Sequence, residues 1–385
     1  FLPTSSCSPS RCSILTGRYP HSTGAQELHM PLPAEQVLFA GELQKAGYYT
    51  AVAGKYHIGD LRAEFDSIYG GSVSGCENWV RAIQNRPKEK PFFLWLAAKD
   101  PHRNYKPNAI PEPHKPENVI VPPFLPDADS TRKDIALYYD EISRLDSYLG
   151  QVMQVVKDQG VDENTLVIYM TDNGRPFPRS KTRMYDSGIK TPFIVRWPLK
   201  IKKGRTNALV SSIDIAPTFC ELAGAEISKT FQGVSFVSVL EDYSINTRDY
   251  IVGEHNWHDF QAHERAIRNH KYLYIRNAFP EFNASPPADA VRSLTYQEMI
   301  KMQEAGELNE NQLDCFIEPR VAEELYDVIN DPYQFNNLAE NLEFKESLNE
   351  MRNLLDNWIV EFEDKIPENP TPDKFDRWSG RDLRN

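Results

Sequence analysis

The segment Pro91–Ala98, PFFLWLAA, constrains the fold of this chain more than any other. A short, near-continuous apolar run suits a strand buried on both faces, as in a parallel sheet covered by helices. Matching parts lie on either side. Leu38–Ala46 predicts a helix stopped by Gly47, and Tyr49–Ala53 predicts a strand. Apolar residues from Ile135 to Val156 recur at three- and four-residue steps, so a long helix is expected, with Ser130 as N-cap and Gly160 as its stop. Leu166–Met170 and Phe193–Trp197 predict further strands, and Ile215–Ala223 a helix. Strands and helices in alternation argue for an α/β sandwich around a mostly parallel central sheet.

From about residue 246 the texture changes. Arg265–Arg268 and Lys271–Ile275 predict a strand pair joined at Asn269-His270. An amphipathic helix is expected from about Phe344 to Phe362, carrying Leu348, Met351, Leu355 and Ile359. The expected organisation is a catalytic domain over 1–245 and a smaller C-terminal α+β subdomain over 246–385, with a polar tail after Pro367.

The 385 residues suffice for a large core, and the formal net charge of −12 argues against a nucleic-acid or anionic-membrane partner. An anionic substrate then requires positive charge concentrated in one cleft. No stretch approaches the roughly eighteen apolar residues of a membrane span. The five cysteines lack CxxC or CxxH spacing, which argues against structural zinc. Phe1-Leu2-Pro3-Thr4 carries no signal-peptide pattern, and the sequon Asn283-Ala284-Ser285 is compatible with export.

In open α/β sheets ligands gather at the carboxyl ends of strands. Asp172-Asn173-Gly174 follows one predicted strand and offers hard oxygen ligands suited to calcium or magnesium. Gly54–Gly59 follows another and supplies Lys55, a compact charge for an oxyanion, and His57, a proton carrier. Asp100-Pro101-His102-Arg103 follows the third. Each cluster alone reads as a turn or loop; three after three strands read as a site. Cys7, just before an expected helix N-terminus, gains a depressed pKa there, although a disulfide half or an inert thiol fits the residue as well.

Cys7 to Gly17 reads CSPSRCSILTG and Gly47 to His57 reads GYYTAVAGKYH. Both stretches match long sulfatase signatures at the usual separation. The chain resembles the type I, formylglycine-dependent sulfatases of the alkaline phosphatase superfamily along almost its whole length. It is most similar to their heparan N-sulfatase (sulfamidase) branch through Asp100–Arg103, Asp172–Pro178, Glu324–Asp327, Asp331-Pro332 and Asn337–Ala339. The resemblance implies an alkaline-phosphatase-like fold and oxidation of Cys7 to formylglycine by a formylglycine-generating maturation enzyme. The hydrated aldehyde then attacks sulfur and later eliminates sulfate.

By the same resemblance Arg11 braces the nucleophile and Lys55 and Lys181 hold sulfate oxygens, with Arg183 as a rival to Lys181. His57 is the base for elimination, and His102 protonates the leaving group. Asp172, Asn173 and the modified Cys7 ligate one calcium. Arg103, His258 and Asp259 are candidate substrate contacts. A further strand ending in an aspartate pair is implied and is expected upstream of Phe1. The expected substrate is a sulfated glycosaminoglycan sugar, N-sulfoglucosamine first and a heparan O-sulfate next. A phosphonate or phosphodiester hydrolase of the superfamily and a non-catalytic glycan-binding relative are the alternatives. The resemblance also implies export, to a bacterial periplasm or a lysosome, and admits a homodimer.

Overall fold

The computed structural model describes residues 1–60 and 63–384. Strands β1 (Tyr49–Gly54), β2 (Ser67–Tyr69) and β3 (Phe92–Ala97) form a parallel sheet in the order β2-β1-β3. Tyr49 pairs with Phe92 and Gly54 with Ala97, so β1 and β3 run in register to the same end. Strands β4 (Val167–Met170) and β5 (Phe193–Arg196) make a separate antiparallel pair. The expected parallel sheet is therefore present in β1–β3, while β5 reverses direction.

Side chains alternate between two helical layers, as the period of two requires. Val52, Phe93 and Trp95, with Ile168 and Met170, pack on one side against the helices Cys7–Thr16, Phe39–Lys45 and Ile215–Ala223. Ala53, Leu94 and Leu96, with Tyr169, face the helices Trp79–Gln84 and Asp129–Asp158. Between β3 and β4 runs a cavity of about 1150 Å³. Phe92–Ala98 and Thr165–Thr171 line its two edges. Trp79, Leu145 and Val152 form one wall, Phe39, Leu43 and Phe219 the other. This slot corrects one expectation. Phe93 and Ala97 of β3 are buried, but Phe92, Leu94, Trp95 and Leu96 are only half-buried.

The long helix also starts differently from its expected form. It begins at Asp129 after Ala128, with no side-chain cap, and Ser130 lies inside it. Ser130 Oγ donates instead to Glu298 of the helix Leu294–Glu304, at 3.2 Å. Asp129 in the first turn favours the positive end of the helix dipole.

The last third forms a four-stranded antiparallel sheet in the order β6-β7-β8-β9. Its strands are β6 (Ile251–His255), β7 (Glu264–Arg268), β8 (Tyr272–Asn277) and β9 (Glu323–Asp327). The β7–β8 turn closes on Asn269 Oδ1, which accepts from the N–H groups of Lys271 and Tyr272. The helix Lys345–Glu361 buries Leu348, Met351, Leu355 and Trp358 against Ile267, Tyr274 and Leu325. The segment after Pro367 is pinned to the body. Trp257 Nε1 donates to the Pro372 carbonyl, and Arg377 pairs with Asp373 and donates to the Asn283 carbonyl.

Gly54 ends β1 at φ +99°, where a Cβ would sit 2.1 Å from the Ala97 carbonyl oxygen and 2.3 Å from that of Gly75. Gly54→Ala combines left-handed strain with a backbone clash. It is expected to cost on the order of 3 kcal/mol in urea unfolding, and a loss below about 1 kcal/mol would contradict this account.

Candidate active site

Cys7 is the first residue of the helix Cys7–Thr16, and Arg11 lies one turn on, so both share a face. Arg11 Nε donates to Asp172 Oδ2 at 2.6 Å, and Arg11 Nη1 donates to the Lys55 carbonyl at 2.6 Å. The Cys7 sulfur lies 3.1 Å from Asn173 Oδ1. One end of the slot between β3 and β4 thus gathers Cys7, Arg11, Lys55, His102, Asp172, Asn173 and Lys181. Three strand ends and one helix start meet there, as the sequence clusters suggest.

The electrostatics are strongly positive. Burial opposes ionisation of the Cys7 thiol, but Lys181 and Lys55 outweigh it and hold the pKa down at about 6. Burial likewise works against the Asp172 carboxylate, yet Arg11, Lys55 and Lys181 keep its pKa near 2. The other cysteines are free and buried, with burial pushing each thiol up to about 12.

Lys181 and Arg183 separate cleanly. Lys181 faces Cys7, while Arg183 turns away, donating to Glu264 at 3.0 Å and to Asp314 at 3.3 Å. Arg179, two residues before Lys181, donates to the carbonyls of Tyr333 and Gln334. Ser5 ties this loop to the nucleophile segment. Its carbonyl accepts from Thr182 N–H at 2.9 Å and its hydroxyl from Gly174 N–H at 3.0 Å.

Burial, then Lys55 and Arg11, push the His57 imidazole down to about 3, so it is neutral. Its Nε2 lies 2.8 Å from Nδ1 of His29, a residue that sequence reasoning missed. Nothing marks His29 in the sequence; the fold recruits it, its N–H donating to Ser8 Oγ at 2.8 Å. His258 is buried with Nδ1 2.6 Å from Ser6 Oγ, beside the nucleophile, and not on a surface loop. Asp259 Oδ2 accepts from Ala288 N–H at 3.0 Å at the start of a short helix. Arg103 departs from its expected place. Its guanidinium is spent on Asp134, at 2.8 Å to each carboxylate oxygen, and on the Pro176 carbonyl, and does not line the pocket.

His102 Nδ1 donates to the Arg103 carbonyl at 2.5 Å. Its hydrogen bond with Cys7 raises its pKa against burial and Lys181. Behind it Glu141 is buried close to Asp100, and both effects push the Glu141 carboxyl up to about 7, against Arg144.

Asp172 and Asn173 supply an ionised carboxylate and an amide oxygen facing the nucleophile, a donor pair whose chemistry fits a hard cation. Elsewhere, among the described residues, His21, Glu254 and Asp364 bring ligand atoms within 4.8 Å of one another. Arg265 already occupies that cluster, donating to both oxygens of Asp364.

Residues 1–73 and 75–225 match the family model described as Sulfatase. The chain belongs to the sulfatase family. Residues 179–280 of this sulfatase also match the model described as N-sulphoglucosamine sulphohydrolase, C-terminal. It is 30% identical over 430 residues to an ulvan-active sulfatase of Formosa agariphila, covering 97% of this chain and 70% of that one. It is 28% identical over 414 residues to human N-sulphoglucosamine sulphohydrolase, covering 94% and 82%. In fold it is similar to the solved structure of BT4656 in complex with its substrate D-glucosamine-2-N,6-O-disulfate. The TM-score there is 0.72 at 20% identity, over 95% of this chain and 90% of that one. The enzyme is a hydrolase of sulfate esters or sulfamates, and its fold is that of the sulfatases.

Two outcomes follow. In protein whose Cys7 remains a thiol, iodoacetamide at pH 7 is expected to alkylate Cys7 alone, with a rate midpoint near pH 6 by peptide mass spectrometry. A midpoint near 9 would show that the two lysines do not act on it. Glu141 takes up a proton on folding between its ordinary 4.5 and about 7, so stability falls as pH rises through that window. Glu141→Gln is therefore expected to be more stable than wild type at pH 8, by on the order of 1–3 kcal/mol, and about equal at pH 5. Thermal melts at the two pH values measure it, and a gain independent of pH contradicts it.

Proposed function

We propose that this enzyme removes sulfate from a sulfated glycosaminoglycan sugar, N-sulfoglucosamine first, with formylglycine at position 7 and one calcium. The convergence of Lys55, Lys181, His102 and Asn173 on Cys7 supports the chemistry. The match of residues 179–280 to the C-terminal N-sulphoglucosamine sulphohydrolase model supports the substrate. The lysines neutralise a sulfate held over position 7. Arg11 fixes Asp172 and the Lys55 backbone, so the cations keep their spacing. His102 presents a proton from Nε2 to the leaving amine or alcohol, and neutral His57 accepts one. His258 and Asp259 are the proposed contacts to the sugar. Oxidised and hydrated, position 7 supplies the attacking hydroxyl. Asp172 and Asn173 would hold a calcium, which would supply positive charge beside the sulfate.

Heparin disaccharides carrying both N- and O-sulfate decide the substrate. The expected products are free sulfate and a new amine with O-sulfates intact; loss of an O-sulfate with the N-sulfate retained overturns the assignment. Lys181→Ala is expected to lower kcat/KM by about 10²–10³, and a change under threefold would remove Lys181 from the sulfate pocket.

A further inference from the structure

Arg103 follows the strand-end histidine directly, yet its guanidinium is buried away from the pocket. Nη1 and Nη2 each donate to Asp134 at 2.8 Å and Nε donates to the Pro176 carbonyl at 2.7 Å. The rings of Tyr105 and Phe177 lie 4.7 and 4.5 Å from it. Thr295 Oγ1 donates to the same Asp134 at 2.7 Å. The clamp joins four pieces of chain: the His102 loop, the helix Asp129–Asp158, the loop after Asn173 and the helix Leu294–Glu304. Three of its five N–H groups are engaged there, and the buried side chain does not line the pocket.

The main chain of Arg103 has a different partner. Its carbonyl accepts from His102 Nδ1. A carbonyl can only accept, so Nδ1 carries a proton and Nε2 is the nitrogen left for the pocket that His102 lines together with Cys7. The direction of that carbonyl depends on the backbone of Arg103, which the clamp fixes. We infer that Arg103 and Asp134 are positioning residues that act through His102, holding its Nε2 in line with the leaving group.

This inference rests on the reading of His102 as proton donor. General-acid help matters most for poor leaving groups, because a strongly acidic phenol departs without a proton. A misaligned His102 should therefore spare good leaving groups and penalise poor ones, whereas a general structural defect lowers every rate alike. The test is a series of aryl sulfates spanning phenol pKa from about 5 to 10, on matured enzyme with formylglycine content measured for each variant. His102→Ala sets the reference. Arg103→Lys and Asp134→Asn are expected to lose about tenfold on the poorest leaving group and less than twofold on the best. Asp134→Asn leaves the buried guanidinium without its counter-charge, so the double variant Arg103→Met/Asp134→Leu, which removes both charges, is measured beside them. It is expected to fold and to show the same graded loss. A graded loss in His102→Ala with uniform losses in every folded clamp variant overturns the inference alone. A uniform loss in His102→Ala overturns the proton-donor reading and the inference with it.

Discussion

The site depends on one side chain, Arg11. From the face of the nucleophile helix its guanidinium holds Asp172 at the end of β4 and the Lys55 carbonyl at the end of β1. A buried ion pair adds little net stability, because desolvation offsets the attraction. Its effect here is registration. Asp172 is kept ionised, Asn173 is set against Cys7, and Lys55 leaves its strand at a fixed angle. A chain of net charge −12 thereby concentrates Arg11, Lys55 and Lys181 around one residue, the distribution an anionic substrate requires.

Lys181 is placed from the opposite side. It sits in a loop whose Arg179 and Thr182 adopt φ of +59° and +69°, left-handed conformations that a side chain resists. Such conformations persist where surroundings over-determine them. Arg179 and Arg183 reach past the loop to carbonyls near Gln334 and to Glu264 and Asp314, while Gly188 accepts the loop so closely that a Cβ would lie 2.0 Å from the Arg183 carbonyl oxygen. The sheet β6–β9 and its connections therefore anchor the Lys181 loop by buried ion pairs, which couples the last third of the chain to the pocket around Cys7.

Much of this was legible in the sequence wherever a periodic pattern met a strand end. β1, β3 and β4 stand where their apolar runs put them, and Lys55, His102 and Asp172 follow them into one pocket. The first long signature marked Cys7 and Arg11, and the second Lys55 and His57. What escaped depends on distant partners. Ser130 looks like a cap, but Glu298, remote in sequence, claims its hydroxyl. Arg103 looks like a substrate contact until Asp134 and Pro176 surround it. His29 enters only because the loop bearing it folds over His57. The reversal of β5 and the strands β6 and β9 carry too short a pattern for periodicity to resolve.

Two lysines and one cation-ligand pair around position 7 make up the proposed pocket for a singly charged sulfate oxyanion. Its most direct test compares kcat/KM for an aryl sulfate with that for the matching aryl phosphodiester and phosphomonoester, on enzyme with formylglycine at position 7. The sulfate is expected to be hydrolysed by far the fastest, with the preference reduced in Lys55→Ala. A preference for the phosphodiester would contradict it.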